Sequence, residues 1–81
     1  MNVLITGGAG FIGSHLAQHC IDLNWNVSVI DDLSTGSIRN IAHLRSRHRF
    51  SYHVESVFNE SLVSELVDDC DVVFHLSLIH I

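Results

Sequence analysis

No stretch of the chain narrows its fold as much as Gly7-Gly8-Ala9-Gly10-Phe11-Ile12-Gly13 and what flanks it. Val3-Leu4-Ile5-Thr6, just before, is a short apolar run rich in β-branched residues and reads as a strand buried on both faces. Ser14-His15-Leu16-Ala17, just after, opens a helical pattern. Gly8, Gly10 and Gly13 fit G-x-G-x-x-G, and Thr6, Gly7, Gly10 and Gly13 fit T-G-x-x-G-x-x-G. Alone such a match is weak; its force is its place between a predicted strand and a predicted helix. Gly7 and Gly8 let the chain leave the strand in a tight turn open to positive φ. Gly10, without a Cβ, lets the backbone approach a pyrophosphate, and Gly13 lets the helix lie close to its strand. The helix then offers unpaired N–H groups and its positive dipole end to phosphate oxygens. The competing reading is a glycine-rich turn that binds nothing.

The remaining chain extends the same alternation. Ile12, Leu16, Cys20 and Leu23 recur at helical spacing as the expected buried stripe of the first helix. Asn24-Trp25-Asn26 breaks that period, and Val27-Ser28-Val29-Ile30 forms a second strand ending at Asp31-Asp32. Ser37 is placed to cap a second helix through about Leu44, with Ile38, Ile41 and Leu44 as its apolar side. Phe50 to Val57 reads as a third strand of mixed character. Asn59 is placed to cap a third helix from Glu60 to Val67, with a stripe of Leu62, Val63, Leu66 and Val67. Val72-Val73-Phe74-His75-Leu76 is the fourth strand. Strands alternating with helices give an α/β fold with a parallel sheet. Right-handed crossovers then predict a Rossmann-type doubly wound sheet with its first four strands in the order 3-2-1-4. The switch point falls between strands one and four, above the glycine loop.

Composition excludes several classes. At 81 residues the chain makes one small domain at most, and 47% apolar against 16% charged residues argues against disorder. The net charge of −5, from four arginines and no lysine, argues against a nucleic-acid or anionic-membrane partner. Cys20 and Cys70 are too few for a disulfide framework, so two reduced cysteines in a cytoplasmic protein are expected. No signal-peptide pattern and no run of transmembrane length occurs. Of the seven histidines, His15 and His19 share a helix face but lack the Glu of H-E-x-x-H and a third ligand, so no metal is expected. There is no G-x-S-x-G elbow, and the P-loop lysine is missing. Arg45, Arg47 and Arg49 read as a solvated linker face, as do the acidic residues around the third helix.

Asp31 stands 18 residues beyond Gly13, near the fingerprint spacing for an acidic residue on an adenosine ribose. A carboxylate there accepts from the ribose hydroxyls and, with Asp32 beside it, repels a 2′-phosphate, which predicts NAD over NADP.

With both blocks in view, the chain resembles the NAD-dependent sugar-nucleotide epimerases and dehydratases. These form the extended, UDP-glucose 4-epimerase-like branch of the short-chain dehydrogenases/reductases. The residues that carry the resemblance are Thr6 to Leu16, Asp31-Asp32-Leu33-Ser34-Thr35-Gly36, and Asp71 to Leu76. It implies that Gly7, Gly10, Phe11, Ile12 and Gly13 line the pyrophosphate and that Asp31, Asp32, Leu33, Ser34, Thr35 and Gly36 wrap the adenosine ribose. It also implies that Ser56 and Val57 contact adenine, with a serine hydroxyl where the family usually has a carboxylate. Leu76 and Ser77 would lie near the nicotinamide ribose, where Leu78 is bulkier than the family's usual small residue. The family transfers hydride with a Tyr-x-x-x-Lys pair. This chain has no lysine, and its one tyrosine, Tyr52, falls in the third strand.

Residues 1–81 are therefore expected to be a partial NAD(P)-binding domain, truncated before its catalytic and nucleotide-sugar-binding parts and inactive alone. The full enzyme is expected to be a cytoplasmic homodimer. A non-catalytic dinucleotide-sensing module is the rival reading, and a flavin-binding domain a weaker third. Two helices on one sheet face, one on the other and an open fourth strand predict a poorly soluble, weakly NAD-binding isolated chain.

Overall fold

A computed structural model describes residues 1–7, 9–33, 37–54 and 60–76. Its elements are β1 (Asn2–Thr6), α1 (Phe11–Asp22), β2 (Asn26–Asp31), β3 (Phe50–Val54), α2 (Glu60–Asp68) and β4 (Val72–His75). Two 3-10 turns, Ile38–Asn40 and Ala42–Leu44, lie between β2 and β3. The four strands form one parallel sheet in the order β3-β2-β1-β4, as the crossover rule predicts.

Parallel register puts Val3, Val27, Phe50 and Val72 on one rung, and Ile5, Val29, Tyr52 and Phe74 on another. Both rungs face the same side, because side chains alternate along a strand. On that side they meet Ala17, Cys20 and Ile21 of α1, together with Ile41 and Leu44 of the 3-10 turns, to form the core. Central β1 is buried from Val3 through Thr6, which accounts for its unbroken apolar run.

Three details differ from the sequence expectation. First, the stripe of α1 is rotated: Gly13, Ser14, Ala17, Cys20 and Ile21 are buried, while Ile12 is 72% and Leu23 46% exposed. Small residues win because they let the helix axis approach the sheet. Second, the predicted helix from Ser37 to Leu44 is a pair of 3-10 turns. Ser37 does cap, its Oγ accepting from the Arg39 N–H at 3.2 Å, and Ile41 and Leu44 are buried as their spacing suggested. The α-helix fails because Ile41 breaks the run at φ −116°, ψ 4°, and Asn40 spends its side chain on a distant carbonyl. Third, α2 buries none of its residues, and Val67 of the expected stripe is 42% exposed. The second sheet face therefore carries Leu4 and Ile30 fully buried at its centre, with Ser28, Ser51, His53, Val73 and His75 around them. Among the described residues, no helix is long and apolar enough to cross a membrane.

Candidate cofactor site

The site lies where β1 and β2 end, at the strand C-termini beside the switch point. Gly7 leaves β1 at φ 76°, in the left-handed region that favours glycine, and its N–H donates to Ile30 O at 2.8 Å. Gly10 then serves as the N-cap of α1 with extended φ −74°, ψ 172° and no capping side chain. The first turn of α1 also contains no acidic residue. The leading N–H groups of a helix have no partner within it, so this end of α1 presents donors and a partial positive charge outward. Phe11 and Ile12 flank it, 74% and 72% exposed, with Gly13 buried beneath. The His15 ring packs 4.5 Å from Phe11, and its Nδ1 donates to Phe11 O at 2.9 Å.

Asp31 closes the other side. Its side chain is 9% exposed; Oδ2 accepts from the Ala9 N–H at 2.9 Å and Oδ1 from the Leu33 N–H at 2.7 Å. Leu33 adopts φ 64°, rare for a leucine, and this tight turn begins the segment expected to hold a ribose. A carboxylate has about four lone-pair positions, and among the described residues each oxygen of Asp31 takes one hydrogen bond, which leaves capacity for a further donor. Asp32 is exposed beside it. Ser34, Thr35, Gly36, Ser56, Val57 and Ser77, like Gly8, Asn59 and Leu78, lie outside the described residues. At the switch point, the Thr6 hydroxyl and His75 Nδ1 are 2.7 Å apart, and the Leu76 N–H donates to Thr6 O at 2.9 Å.

Sequence reasoning missed the hydrogen bonds that hold the glycine loop. Asn40 Nδ2 donates to Ala9 O at 2.7 Å, and the Ser37 N–H donates to the same oxygen at 3.1 Å. A polar amide in an otherwise apolar helical pattern was the available signal. Tyr52 stacks on Phe50 within β3 beneath Arg45, where it belongs to the sheet edge. Burial pushes the thiol pKa of Cys20 up; desolvation and then Asp71 push that of Cys70 up. No group of three or more His, Cys, Asp or Glu suited to a metal ion occurs among the described residues.

The GDP-mannose 4,6-dehydratase family profile matches residues 4–79. A UDP-glucuronic acid decarboxylase from Arabidopsis thaliana is 35% identical over 77 residues, covering 95% of this chain and 17% of the relative. The UDP-N-acetylglucosamine 4-epimerase of Methanobrevibacter ruminantium M1, solved with UDP-N-acetylmuramic acid, is 35% identical with a TM-score of 0.85. That match covers 99% of this chain and 25% of the epimerase. The Bordetella bronchiseptica enzyme WbmH, solved with NAD+, is 30% identical with a TM-score of 0.87, covering 98% and 26%. The chain thus spans between 17% and 26% of the length of these three proteins.

Proposed function

The chain belongs to the NAD-dependent epimerase/dehydratase family that the GDP-mannose 4,6-dehydratase profile describes, and on that premise we propose that it is the N-terminal NAD-binding part of a sugar-nucleotide epimerase or dehydratase. The observation that carries this reading is the Asp31–Ala9 hydrogen bond, which ties a ribose acceptor to the loop that leads into the uncapped N-terminus of α1. The residues fit a dinucleotide. The first N–H groups of α1 would bind the pyrophosphate, with Phe11 and Ile12 beside it. The remaining lone pairs of Asp31 would accept from ribose hydroxyls, and Leu33 to Gly36 would wrap that ribose. Ser56 and Val57 would meet adenine, and Leu76 and Ser77 the nicotinamide ribose. NAD, when bound, would supply the redox chemistry, as acceptor of a hydride from the carbon that bears a sugar hydroxyl and, in epimerisation, as the donor that gives it back.

This chain's share is to hold and orient the dinucleotide. Without a lysine it supplies no Tyr-x-x-x-Lys pair, so acid–base chemistry and the nucleotide-sugar site are assigned to residues beyond these 81, and the 81 alone are inactive. Isothermal titration of the intact protein tests the cofactor assignment. NAD is expected to bind at least about tenfold tighter than NADP, because Asp31 and Asp32 face the added phosphate. Comparable affinities would overturn the selectivity, and no binding of either would overturn the function. A downstream Tyr-x-x-x-Lys in the reading frame supports the enzyme; a complete frame without one supports a dinucleotide sensor.

A further inference from the structure

Ala9 is fully buried at the crest of the glycine loop, and its two peptide groups are fixed from opposite sides. Its N–H goes to Asp31 Oδ2 at 2.9 Å; its carbonyl takes Asn40 Nδ2 at 2.7 Å and the Ser37 N–H at 3.1 Å. The Ala9–Gly10 peptide is planar, so holding its oxygen also aims its N–H, which donates to Gly7 O at 3.2 Å. That peptide leads into Gly10, the N-cap of α1, so its direction helps to set where the leading N–H groups of the helix point. Asn40 reaches across 31 residues of sequence to make this contact. It is delivered by the 3-10 turn that replaces the expected helix: the Asn40 N–H donates to Ser37 O at 3.0 Å, and Ile41 anchors the turn in the core.

We propose that Asn40 is a positioning residue of the dinucleotide site, which holds the Ala9–Gly10 peptide so that the first N–H groups of α1 converge on the pyrophosphate. The inference rests on the dinucleotide reading of this site. The position requires a neutral side chain that donates to a carbonyl. An aspartate of the same shape offers only acceptors and sets a charge against Ala9 O. Asp31 is hydrogen-bonded to Ala9 and Leu33, whereas Asn40 Nδ2 donates to Ala9 O, so the Asp31 bond to Leu33 holds the ribose side independently. Loss of Asn40 should therefore weaken recognition of the pyrophosphate and spare that of the nucleoside.

The test titrates NAD, ADP-ribose and adenosine into the intact protein and into the Asn40→Ala, Asn40→Asp and Ile21→Val variants, with thermal melts alongside. Asn40→Ala is expected to bind NAD and ADP-ribose about fivefold or more weakly, the worth of one hydrogen bond, and Asn40→Asp more weakly still. Adenosine affinity should hold in both, and Ile21→Val, which trims a core residue near the far end of α1, should bind all three normally. Wild-type affinity for NAD in both Asn40 variants overturns the inference. So does an equal loss for adenosine, or the same loss in Ile21→Val, because either marks a purely structural role. Failure of the unsubstituted protein to bind NAD overturns the functional reading itself, and this inference with it.

Discussion

Replacing Gly10 by alanine separates what the protein needs at this position from what its ligand needs. Gly10 sits at φ −74°, ψ 172°, where any residue is at ease, and an added Cβ would first meet Gly7 O at 3.4 Å, an ordinary contact. Two small effects on stability oppose each other. Restricting the unfolded chain stabilises by about 0.4–1 kcal/mol, while alanine is a poorer N-cap than glycine by roughly 0.5–1 kcal/mol. The net change should stay within about 0.5 kcal/mol, which moves the Tm of a domain this size by no more than about 4 °C. Binding is different, because the same methyl enters the space through which the backbone approaches the pyrophosphate. Overpacking of that order costs about 1–3 kcal/mol, or roughly a five- to hundredfold rise in the Kd for NAD. Calorimetric titration and a thermal melt of the Gly10→Ala protein measure both numbers. An unchanged Kd refutes the argument that this glycine serves a ligand; a Tm drop of about 10 °C would show that it serves the fold.

Gly7→Ala should behave in the opposite way: at φ 76° a side chain is strained, so stability falls by about 1–2 kcal/mol, and an unaltered denaturation midpoint would contradict this. Asp31→Ala leaves the Ala9 and Leu33 N–H groups without their acceptor, which should cost about 1–3 kcal/mol in a urea titration and abolish tight NAD binding together. Retained stability would show that water replaces the carboxylate. The Cys70 thiol has its pKa raised by desolvation and by Asp71, so its alkylation should be slow at pH 7 and accelerate as pH rises. Asp71→Asn removes a negative neighbour, lowers the Cys70 pKa and should speed its alkylation at pH 8; an unchanged rate would leave desolvation and Asp69 as the causes of the upward shift. Cys20, buried in the core, should react only on unfolding.

Legibility in the sequence follows the range of the interactions. The apolar run of β1, its exit at Gly7 and the start of α1 are local, and they were readable because period and glycine position encode them directly. The strand order followed from handedness alone. What periodicity hid was competition. Ile12 matched a helical stripe, yet Gly13, Ala17 and Ile21 took the buried face, because close approach to the sheet outweighs side-chain size. Ile38, Ile41 and Leu44 had helical spacing that two 3-10 turns satisfy equally well, so burial was legible there and backbone conformation was not. Asp31 was singled out by its spacing from Gly13, but its two amide partners were invisible. So was the Asn40–Ala9 contact, which joins residues 31 apart through a side chain whose only mark was polarity.

The order of the strands also governs when the sheet is completed during synthesis. β1 is central and leaves the ribosome before the other three strands, gaining β2 on one side soon afterwards, whereas on the other side Thr6 must wait for His75, 69 residues later. At about 5–20 residues per second, that delay is roughly 3 to 14 s, against microseconds to milliseconds for local pairing. Throughout it, Val3, Leu4 and Ile5 present an apolar strand edge to solvent or to a chaperone. Of the four strands, the one that delivers the glycine loop is made first and enclosed last.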